Sequence, residues 1–283
     1  MFVIHTINEL QDELRQRRQA NQSIALVPTM GNLHQGHLQL VSTAQQHAEA
    51  VVVTLFVNPT QFSENEDLDS YPRTFQDDCQ KLELLNTDIL FAPSIDEIYP
   101  LGGENTSHVH VPNITDVLCG ASRPGHFDGV TTIVCKLFNM TRADVAIFGE
   151  KDFQQLAVIH RMVDDLNIPI RIIGEPIVRE ADGLAMSSRN GYLSKEERLL
   201  APRLHQILQY IKQLILAGEV DFNAIESQAK IDLIEAGFKP DYLHIYQRNE
   251  LKPATKGSKE LIIIVAAFLG STRLIDNVHV DCT

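Results

Sequence analysis

The sequence lacks the features that place proteins in membranes or in oxidising compartments. The N-terminal stretch becomes charged within its first ten residues, and the longest strongly apolar runs, such as 261–270, are far shorter than the roughly 20 residues that span a bilayer. The four cysteines, Cys79, Cys119, Cys135 and Cys282, form no C-x-x-C pair, which argues against a zinc ribbon and a disulfide framework. We therefore expect a cytoplasmic protein with reduced thiols and no membrane partner.

Positive charge is also scarce. The chain has 24 Lys and Arg residues against 37 Asp and Glu residues, a net charge of −13. Such a chain repels a polyanion unless its few cations are gathered on one face. Nucleic acid is therefore not an expected partner.

Three common signatures of nucleotide-binding and hydrolytic sites are missing. No G-x-x-x-x-G-K-[ST] loop is present, and no G-x-G-x-x-G follows a predicted strand. The G-x-S-x-G motif of Ser-His-Asp hydrolases is absent as well. These absences argue against a P-loop enzyme, a dinucleotide-binding fold of the usual kind and a serine hydrolase.

What the sequence does contain is a regular alternation of apolar and amphipathic segments. Hydrophobic residues make up 44% of the 283 residues, enough for a substantial core. Near-continuous apolar runs predict strands covered on both faces, at 23–29, 50–57, 87–93 and 143–149, and a further strand is predicted at 168–178. Helical patterns separate them, at 37–50, 74–86, 129–142 and 151–167. This alternation predicts an α/β fold with a Rossmann-like parallel sheet.

The last third of the chain has a different character. Two predicted helices, at about 194–217 and 221–236, precede β-rich runs at 241–248, 260–270 and 271–280. Helices followed by strands predict a smaller α+β domain. We place the domains at 1–176, the Rossmann-like domain, and 177–283, the smaller α+β domain. The segment 102–113 is predicted to be a loop and short hairpin inserted into the larger domain.

The stretch PTMGNLHQGHLQLV, residues 28–41, ends the first predicted strand and begins the next helix. Ligands bind at such places because helix N-termini offer unpaired N–H groups to phosphate. Gly31 and Gly36 would allow close backbone approach, and His34 and His37 supply imidazole donors. An ordinary surface or core role is the alternative for two histidines at this spacing. Zinc binding is disfavoured because no further ligands occur at motif spacing.

A second candidate phosphate site is AIFGEKDFQQL, which ends the fourth predicted strand. In a sheet of strand order 3-2-1-4-5 this strand would neighbour the first, which would bring HQGH and GEKD to the switch point of the sheet. Gly149 would allow close approach, Lys151 offers a charge to phosphate, and Asp152 offers an acceptor to a ribose hydroxyl or a cation. The alternative is an ordinary solvated helix start, with Glu150 and Asp152 suited to the helix dipole.

The loop LAMSSRNGYLS, residues 184–194, is polar. Its two serines and Arg189 provide hydroxyl donors and a charged fork suited to a triphosphate. The alternative is that SSRN simply forms a good turn.

Amides and acids follow the second predicted strand. Asn58 and Gln61, and Gln155 in a later helix, suit a small hydroxy acid as substrate. Asp77 and Asp78 are candidate ligands for magnesium, although the helix dipole explains acids early in a helix.

The turn RPGHFDGV offers two further candidates for the lining of a site, Arg123 and His126. The alternative is a capped helix entry, with Asp128 near the helix N-terminus.

Together, the blocks PTMGNLHQGHL, FVNPTQF, YPRT, RPGHFDGV, KLFN, FGEKDFQQL, MSSRNGYLS and STRLIDNV resemble the pantothenate synthetase (pantoate–β-alanine ligase) family. That family belongs to the nucleotidyltransferase superfamily with a HIGH-type motif. The resemblance implies condensation of pantoate with β-alanine, with ATP as co-substrate, through a pantoyl adenylate. It also implies a homodimer and a Mg²⁺ requirement.

The resemblance also carries roles for individual residues. His37 is expected to be the catalytic proton donor, with His34 and Lys151 on the phosphates. Gln61 and Gln155 match pantoate-binding glutamines, and Asp77 and Asp78 fall near a magnesium contact. The residues expected to contact ATP are Met30, Gly31, Asn32, Leu33, His34, Gln35, Gly36, His37, Gly149, Glu150, Lys151, Asp152, Val178, Met186, Ser187, Ser188 and Arg189.

Two rival functions stay open at this point. A different adenylyltransferase, or a fragment of an aminoacyl-tRNA synthetase, shares the superfamily, but the acidic charge disfavours tRNA. A regulatory nucleotide-binding module that has lost catalysis is disfavoured by the two intact histidines.

Overall fold

The computed structural model describes residues 1–63 and 68–282. Positions 64–67 of the stretch 55–78, and Thr283, lie outside the described residues. Backbone contacts group the chain into two compact units. Unit 1 comprises Met1–Glu150 and Gln155–Pro176, and unit 2 comprises Lys151–Gln154 and Ile177–Thr283.

A parallel sheet forms the centre of unit 1. Its strands in the described residues are β1 (Phe2–Ile4), β2 (Ile24–Thr29), β3 (Ala50–Leu55), β4 (Ile89–Phe91), β5 (Val145–Gly149) and β6 (Arg171–Glu175). They lie in the order β1-β4-β3-β2-β5-β6, and every neighbouring pair is parallel. The predicted α/β class with a parallel sheet is confirmed. The predicted strands occur in the order 3-2-1-4-5, and the short edge strand β1 is an addition that the hydrophobic pattern missed.

The alternation of side chains along each strand explains why both faces of this sheet are apolar. Ile24 and Leu26 of β2 pack into one hydrophobic cluster, and Ala25 and Val27 pack into another. Side chains of successive strand residues point to opposite faces, so a run of four apolar residues feeds two cores. The chain runs from β2 through β3 to β4 on one side and continues with β5 on the other. The carboxyl ends of β2 and β5 are therefore neighbours at the switch point.

The helices that the structure describes in the first part of the chain are α1 (Ile7–Gln19), α2 (Gln35–His47), α3 (Phe75–Leu84), α4 (Ile95–Ile98), α5 (Cys119–Ser122), α6 (His126–Thr141) and α7 (Phe153–Asp165). Of these, α2, α3, α6 and α7 match the predicted segments, whereas the sequence pattern missed α1, α4 and α5. Leu40, Val41 and Ala44 of α2 pack in one cluster, and Leu10 and Leu14 of α1 pack in the other. These helices cover both faces of the sheet.

The hairpin predicted within 102–113 is wrong. The segment contains a 3₁₀ turn, Gly103–Asn105, and no strand. Its backbone groups bond side chains of α6 instead: the Val109 N–H donates to Thr132 Oγ1 (3.0 Å), and the Thr131 hydroxyl donates to the Val109 carbonyl. Side chains of a neighbouring helix thus take the place of a partner strand.

Unit 2 is the smaller α+β unit. Its helices are α8 (Lys195–Leu200), α9 (Arg203–Leu216) and α10 (Phe222–Glu235), and its strands are β7 (Lys239–Gln247), β8 (Lys252–Pro253), β9 (Glu260–Leu269) and β10 (Thr272–Asp281). The strands are antiparallel in the order β10-β9-β7-β8. The single helix predicted at 194–217 is wrong, because Pro202 has no N–H to continue α8 and instead occupies the N-cap position of α9.

Candidate active site

The two histidines of HQGH form the N-terminus of α2. His34 is the N-cap residue, with an extended backbone (φ −123°, ψ 176°), and His37 is the third residue of the helix. The Gly36 N–H donates to His34 Nδ1 (3.1 Å), and the His34 N–H donates to His37 Nδ1 (3.3 Å). The two side chains therefore form a capping box, a role more often taken by Ser or Thr with Glu.

These contacts determine which ring nitrogen carries the proton. A nitrogen that accepts a hydrogen bond holds no proton, so each neutral imidazole carries its proton on Nε2. The rings of His34 and His37 are stacked, with centroids 4.0 Å apart and planes inclined by 29°. The arrangement provides two Nε2–H donors at the N-terminus of a helix, where the backbone also favours an anion.

The loop that precedes α2 is held by Asp78 of α3. The Asn32 N–H donates to Asp78 Oδ2 (2.9 Å), and the Leu33 N–H donates to Asp78 Oδ1 (2.8 Å). Gly31 (φ +87°) and Asn32 (φ +50°) both have left-handed backbones, and a Cβ at Gly31 would lie 3.3 Å from Asp78 Oδ2. Successive N–H groups in such a turn form a concave anion site, and here the protein's own carboxylate fills it.

Asp78 therefore does not fit the magnesium role that the resemblance suggested. Its side chain is 1% exposed, and Thr74 Oγ1 also donates to Oδ2 (3.1 Å). Asp77, the adjacent candidate, is exposed, whereas Asp78 is buried. Within residues 1–63 and 68–282, no group of three or more His, Cys, Asp or Glu side chains is arranged to hold a metal ion.

A buried amide shapes the turn that contains Gln61. Asn58 is 1% exposed, and its Oδ1 accepts from the Tyr99 hydroxyl (2.8 Å) and from Thr60 Oγ1 (3.0 Å). Its Nδ2 donates to Gln61 Oε1 (3.1 Å), and Gln61 Nε2 lies 3.3 Å from Met30 Sδ. Asn58 thus orients Gln61, and Gln61 contacts the loop that leads to HQGH. A direct substrate role for Asn58 would require these bonds to break.

Arg123 and His126 lie beneath the same turn. The Gln61 carbonyl oxygen is 2.8 Å from His126 Nδ1 and 3.4 Å from Arg123 Nη2, and Arg123 Nη1 lies 2.9 Å from His126 Nε2. With the ring proton on Nδ1, His126 donates to the Gln61 carbonyl and accepts from Arg123. Both side chains therefore support the backbone of Gln61.

The first helical turns of α6 pack against this turn without an intervening side chain. A Cβ at Gly129 would lie 2.3 Å from the Thr60 carbonyl oxygen and 2.7 Å from the Gln61 nitrogen. We expect Gly129→Ala to lower the melting temperature, because the backbone of residues 60–61 must move. Thermal denaturation tests this. Gly191→Ala is the control, since a Cβ there would meet no atom within 4 Å.

The GEKD block follows β5. Gly149 ends the strand, and a Cβ there would meet no atom within 4 Å. The side chain of Glu150 packs on β6, where a Cβ at Gly174 would lie 3.2 Å from Glu150 Oε1. Lys151 and Asp152 complete a 3₁₀ turn, with 3.7 Å between Lys151 Nζ and Asp152 Oδ2. Gln155 lies in the first turn of α7 and is half-buried.

The MSSRN loop of unit 2 follows a short hairpin. The Met186 N–H donates to the Val178 carbonyl (3.0 Å), so the two ends of the hairpin are adjacent. Ser187 then caps a 3₁₀ helix, Ser188–Tyr192, by accepting from the Arg189 N–H (3.2 Å). Asn190 Nδ2 donates to the Ala185 carbonyl (3.1 Å). These bonds give the polar loop a defined conformation in the structure.

Comparison with known proteins decides the family. The family model described as pantoate-beta-alanine ligase matches residues 2–279. The chain belongs to the pantoate–β-alanine ligase family. It is therefore an enzyme, a ligase of pantothenate biosynthesis, and the resemblance of its motif blocks is confirmed. Among the described residues of this ligase, no helix is both long and apolar enough to span a bilayer.

Relatives match the ligase over almost its whole length. Pantothenate synthetases from Marinobacter nauticus and Pseudomonas fluorescens are 51% and 53% identical to it, over 99% of the chain and 99% and 98% of their own lengths. A crystal structure of pantothenate synthetase from Thermus thermophilus superposes with a TM-score of 0.92 at 40% identity, covering 98% of this chain and 99% of that one.

A further solved structure carries ligands. It is pantoate-beta-alanine ligase from Francisella tularensis, described as complexed with beta-gamma ATP and beta-alanine. Its TM-score is 0.81 at 33% identity, with 98% of this chain and 97% of that chain covered.

The structural role of Asp78 was missed from the sequence. An acid in the first turn of a helix is adequately explained by the helix dipole, so nothing in the pattern links it to a loop 45 residues earlier. Arg179, beside Val178, and the Asp-Asn pair in the closing STRLIDNV block were also missed as individual residues, although the blocks themselves were noticed.

Proposed function

We propose that this ligase forms pantothenate from (R)-pantoate and β-alanine in two steps. In the first, a pantoate carboxylate oxygen attacks the α-phosphorus of ATP, the bond to the β-phosphate breaks, and pyrophosphate leaves. In the second, the β-alanine nitrogen attacks the carbonyl carbon of the pantoyl adenylate and loses a proton, and AMP leaves. The observation that carries the proposal is the pair of imidazoles at the N-terminus of α2, whose Nδ1 atoms both accept backbone N–H groups and so assign the ring proton of each neutral imidazole to Nε2.

We propose that the protein accelerates the reaction mainly by electrostatic stabilisation of the transition state. Negative charge grows on the oxygens around the α-phosphorus and on pyrophosphate, so donors held in place before the reaction stabilise the transition state. His37 is proposed to donate from Nε2 to these oxygens, with His34 beside it. The backbone of Met30 to Gly36 is proposed to contact the same nucleotide. No protein nucleophile is required.

The other proposed ATP contacts follow from the family resemblance. They are Gly149, Glu150, Lys151, Asp152, Val178, Met186, Ser187, Ser188 and Arg189. The ligands in the Francisella tularensis structure support ATP and β-alanine as substrates. The division into a catalytic domain, 1–176, and a smaller domain, 177–283, stays a prediction, as do the cytoplasmic location and the homodimer.

Pantoate is proposed to bind Gln61 and Gln155. We expect Gln155→Ala to weaken pantoate binding at least about 10-fold, the effect of losing roughly one hydrogen bond to a charged group. ATP binding should change less than two-fold. Isothermal titration with each ligand measures both affinities. An unchanged pantoate affinity would remove Gln155 from the substrate site.

An isotope experiment tests the adenylate. Pantoate labelled with ¹⁸O in its carboxylate should transfer one labelled oxygen to AMP, because the carboxylate oxygen becomes bonded to the α-phosphorus. The enzyme should also exchange labelled pyrophosphate into ATP with pantoate alone. Label that appears in inorganic phosphate instead, or no exchange at millimolar pantoate, contradicts the intermediate.

A further inference from the structure

Two adjacent side chains of β10, Asp276 and Asn277, are almost fully buried. Asp276 is 2% exposed and Asn277 is 3% exposed. The Asp276 carboxylate accepts hydrogen bonds from both terminal nitrogens of Arg179, with Nη1 2.7 Å from Oδ2 and Nη2 2.8 Å from Oδ1. This fork geometry defines the orientation of the guanidinium as well as its position.

Arg179 is the second residue of the hairpin that precedes the MSSRN loop. It pairs with Ala185 in an antiparallel bridge, and its Nη1 also donates to the Gly183 carbonyl (3.1 Å). One side chain therefore closes the turn of the hairpin and attaches the hairpin to β10. Ser187 and the 3₁₀ helix of the loop follow two residues after Ala185.

Asn277 holds a different segment of unit 2. Its Nδ2 donates to the Lys151 carbonyl (3.1 Å), and its own carbonyl accepts from Arg179 Nη2 (3.3 Å). Two residues further along β10, the ring of His279 packs edge-on against Phe153, with centroids 5.4 Å apart. The segment Lys151–Gln154 is thus attached to the same strand as the hairpin.

Asp276 is also contacted by a side chain of α9. His205 of α9 lies with Nδ1 3.3 Å from Asp276 Oδ2, and Gln209 Nε2 lies 3.2 Å from His205 Nε2. Burial by itself raises the pKa of Asp276, but the interactions with His205 and Arg179 outweigh burial and hold that pKa below its ordinary value. The carboxylate therefore stays ionised against Arg179.

We propose that Asp276 and Asn277 are positioning residues that hold the two nucleotide segments of unit 2, Lys151–Asp152 and Met186–Arg189, in a fixed arrangement. The identity of the ligand rests on the proposed function. A β-strand suits this purpose because its backbone is held along its whole length, here by pairing with β9 from Thr272 to Asp281. Displacing a positioned group by about 1 Å costs up to about 100-fold in rate, so loss of either anchor matters for catalysis.

The test compares variants of Asp276 and Asn277 with a variant of another ion pair of β10, that of Arg273 with Asp241 of β7. Asp276→Asn removes the charge opposite Arg179, and Asn277→Ser shortens the side chain and removes the Nδ2 donor to the Lys151 carbonyl. The control is Asp241→Asn, which removes the acceptor of Arg273 on the same strand (Nη2 to Oδ2, 2.7 Å). We expect each anchor variant to raise the KM for ATP at least about 10-fold, with the KM for pantoate within two-fold. The control should leave both constants within two-fold.

Amide hydrogen exchange measures the effect of each variant on the two segments without requiring enzyme activity. Asn277→Ser should accelerate amide exchange in 151–154, and Asp276→Asn should accelerate it in 178–190, because each variant releases a different segment. Arg179→Lys keeps the positive charge but cannot donate two parallel hydrogen bonds to the Asp276 carboxylate. The KM of this variant for ATP should therefore lie between those of wild type and Asp276→Asn.

Several results would overturn the proposal. They are an unchanged KM for ATP in both anchor variants, an equal rise in Asp241→Asn, and unaltered exchange in the two segments. If Asp276→Asn does not fold, Asn277→Ser and Arg179→Lys decide by the same criteria. Failure of the proposed function would show instead in the wild type, as absence of pantoate-dependent turnover, and the exchange measurements would still test the anchors.

Discussion

His37→Ala is expected to lower turnover by about 100-fold or more, the usual effect of removing a donor that stabilises transition-state charge. The helix should survive, because α2 packs through Leu40, Val41 and Ala44, which the substitution does not touch. Steady-state kinetics give the rate and circular dichroism gives the fold. A variant with a near-native rate would show that His37 is not the catalytic donor.

Two further substitutions separate the catalytic and capping roles of His37. An asparagine amide oxygen can replace Nδ1 and accept from the His34 N–H, whereas a glutamine amide nitrogen can replace the Nε2–H donor. If donation to the nucleotide matters most, His37→Gln should keep more activity than His37→Asn. If the capping bond matters most, the order reverses, and the proposed role is wrong.

Asp78→Asn is expected to have the second large effect. Both carboxylate oxygens accept backbone N–H groups, so an amide places an NH₂ group against one of these donors. Leaving a buried polar group unpaired costs about 1–3 kcal/mol, which we expect to see in the free energy of unfolding. Turnover should also fall, because the loop from Gly31 to Leu33 leads directly to the His34 cap. Denaturant unfolding and kinetics measure the two effects.

The magnesium dependence distinguishes this role from metal binding. A variant that has lost a magnesium ligand recovers activity at raised magnesium concentration, whereas a variant with a displaced loop does not. We expect the concentration of Mg²⁺ that gives half-maximal rate to be the same in Asp78→Asn and wild type. The control is Asp88→Asn, since Asp88 also accepts a backbone N–H, that of Val51 (3.0 Å), at the opposite end of the strands. It should lose stability and keep its turnover.

Much of unit 1 could be predicted because strands buried on both faces have a strong sequence signature. The apolar runs that became β2 to β5 are buried in the structure and must be covered on both sides, and only a sheet between two layers of helices does this. β1, with three residues and an exposed Phe2, is too short to show that pattern. The segment 102–113 was predicted wrongly because its backbone partners are Thr131 and Thr132, side chains about 20 residues later in the chain.

The amino-acid sequence by itself determined the family, the sheet and the position of HQGH at a strand end, because each depends on residues close together in the chain. The proton positions on His34 and His37 also follow from a local structure, the capping box at the start of α2. Only the tertiary structure decided that Asp78 fills the concave turn at Asn32 and Leu33, and that Asp276 and Asn277 reach Arg179 and Lys151. The physical reason is that a buried carboxylate or amide takes its role from the donors and acceptors that folding brings within about 3 Å, and these partners are distant in the sequence.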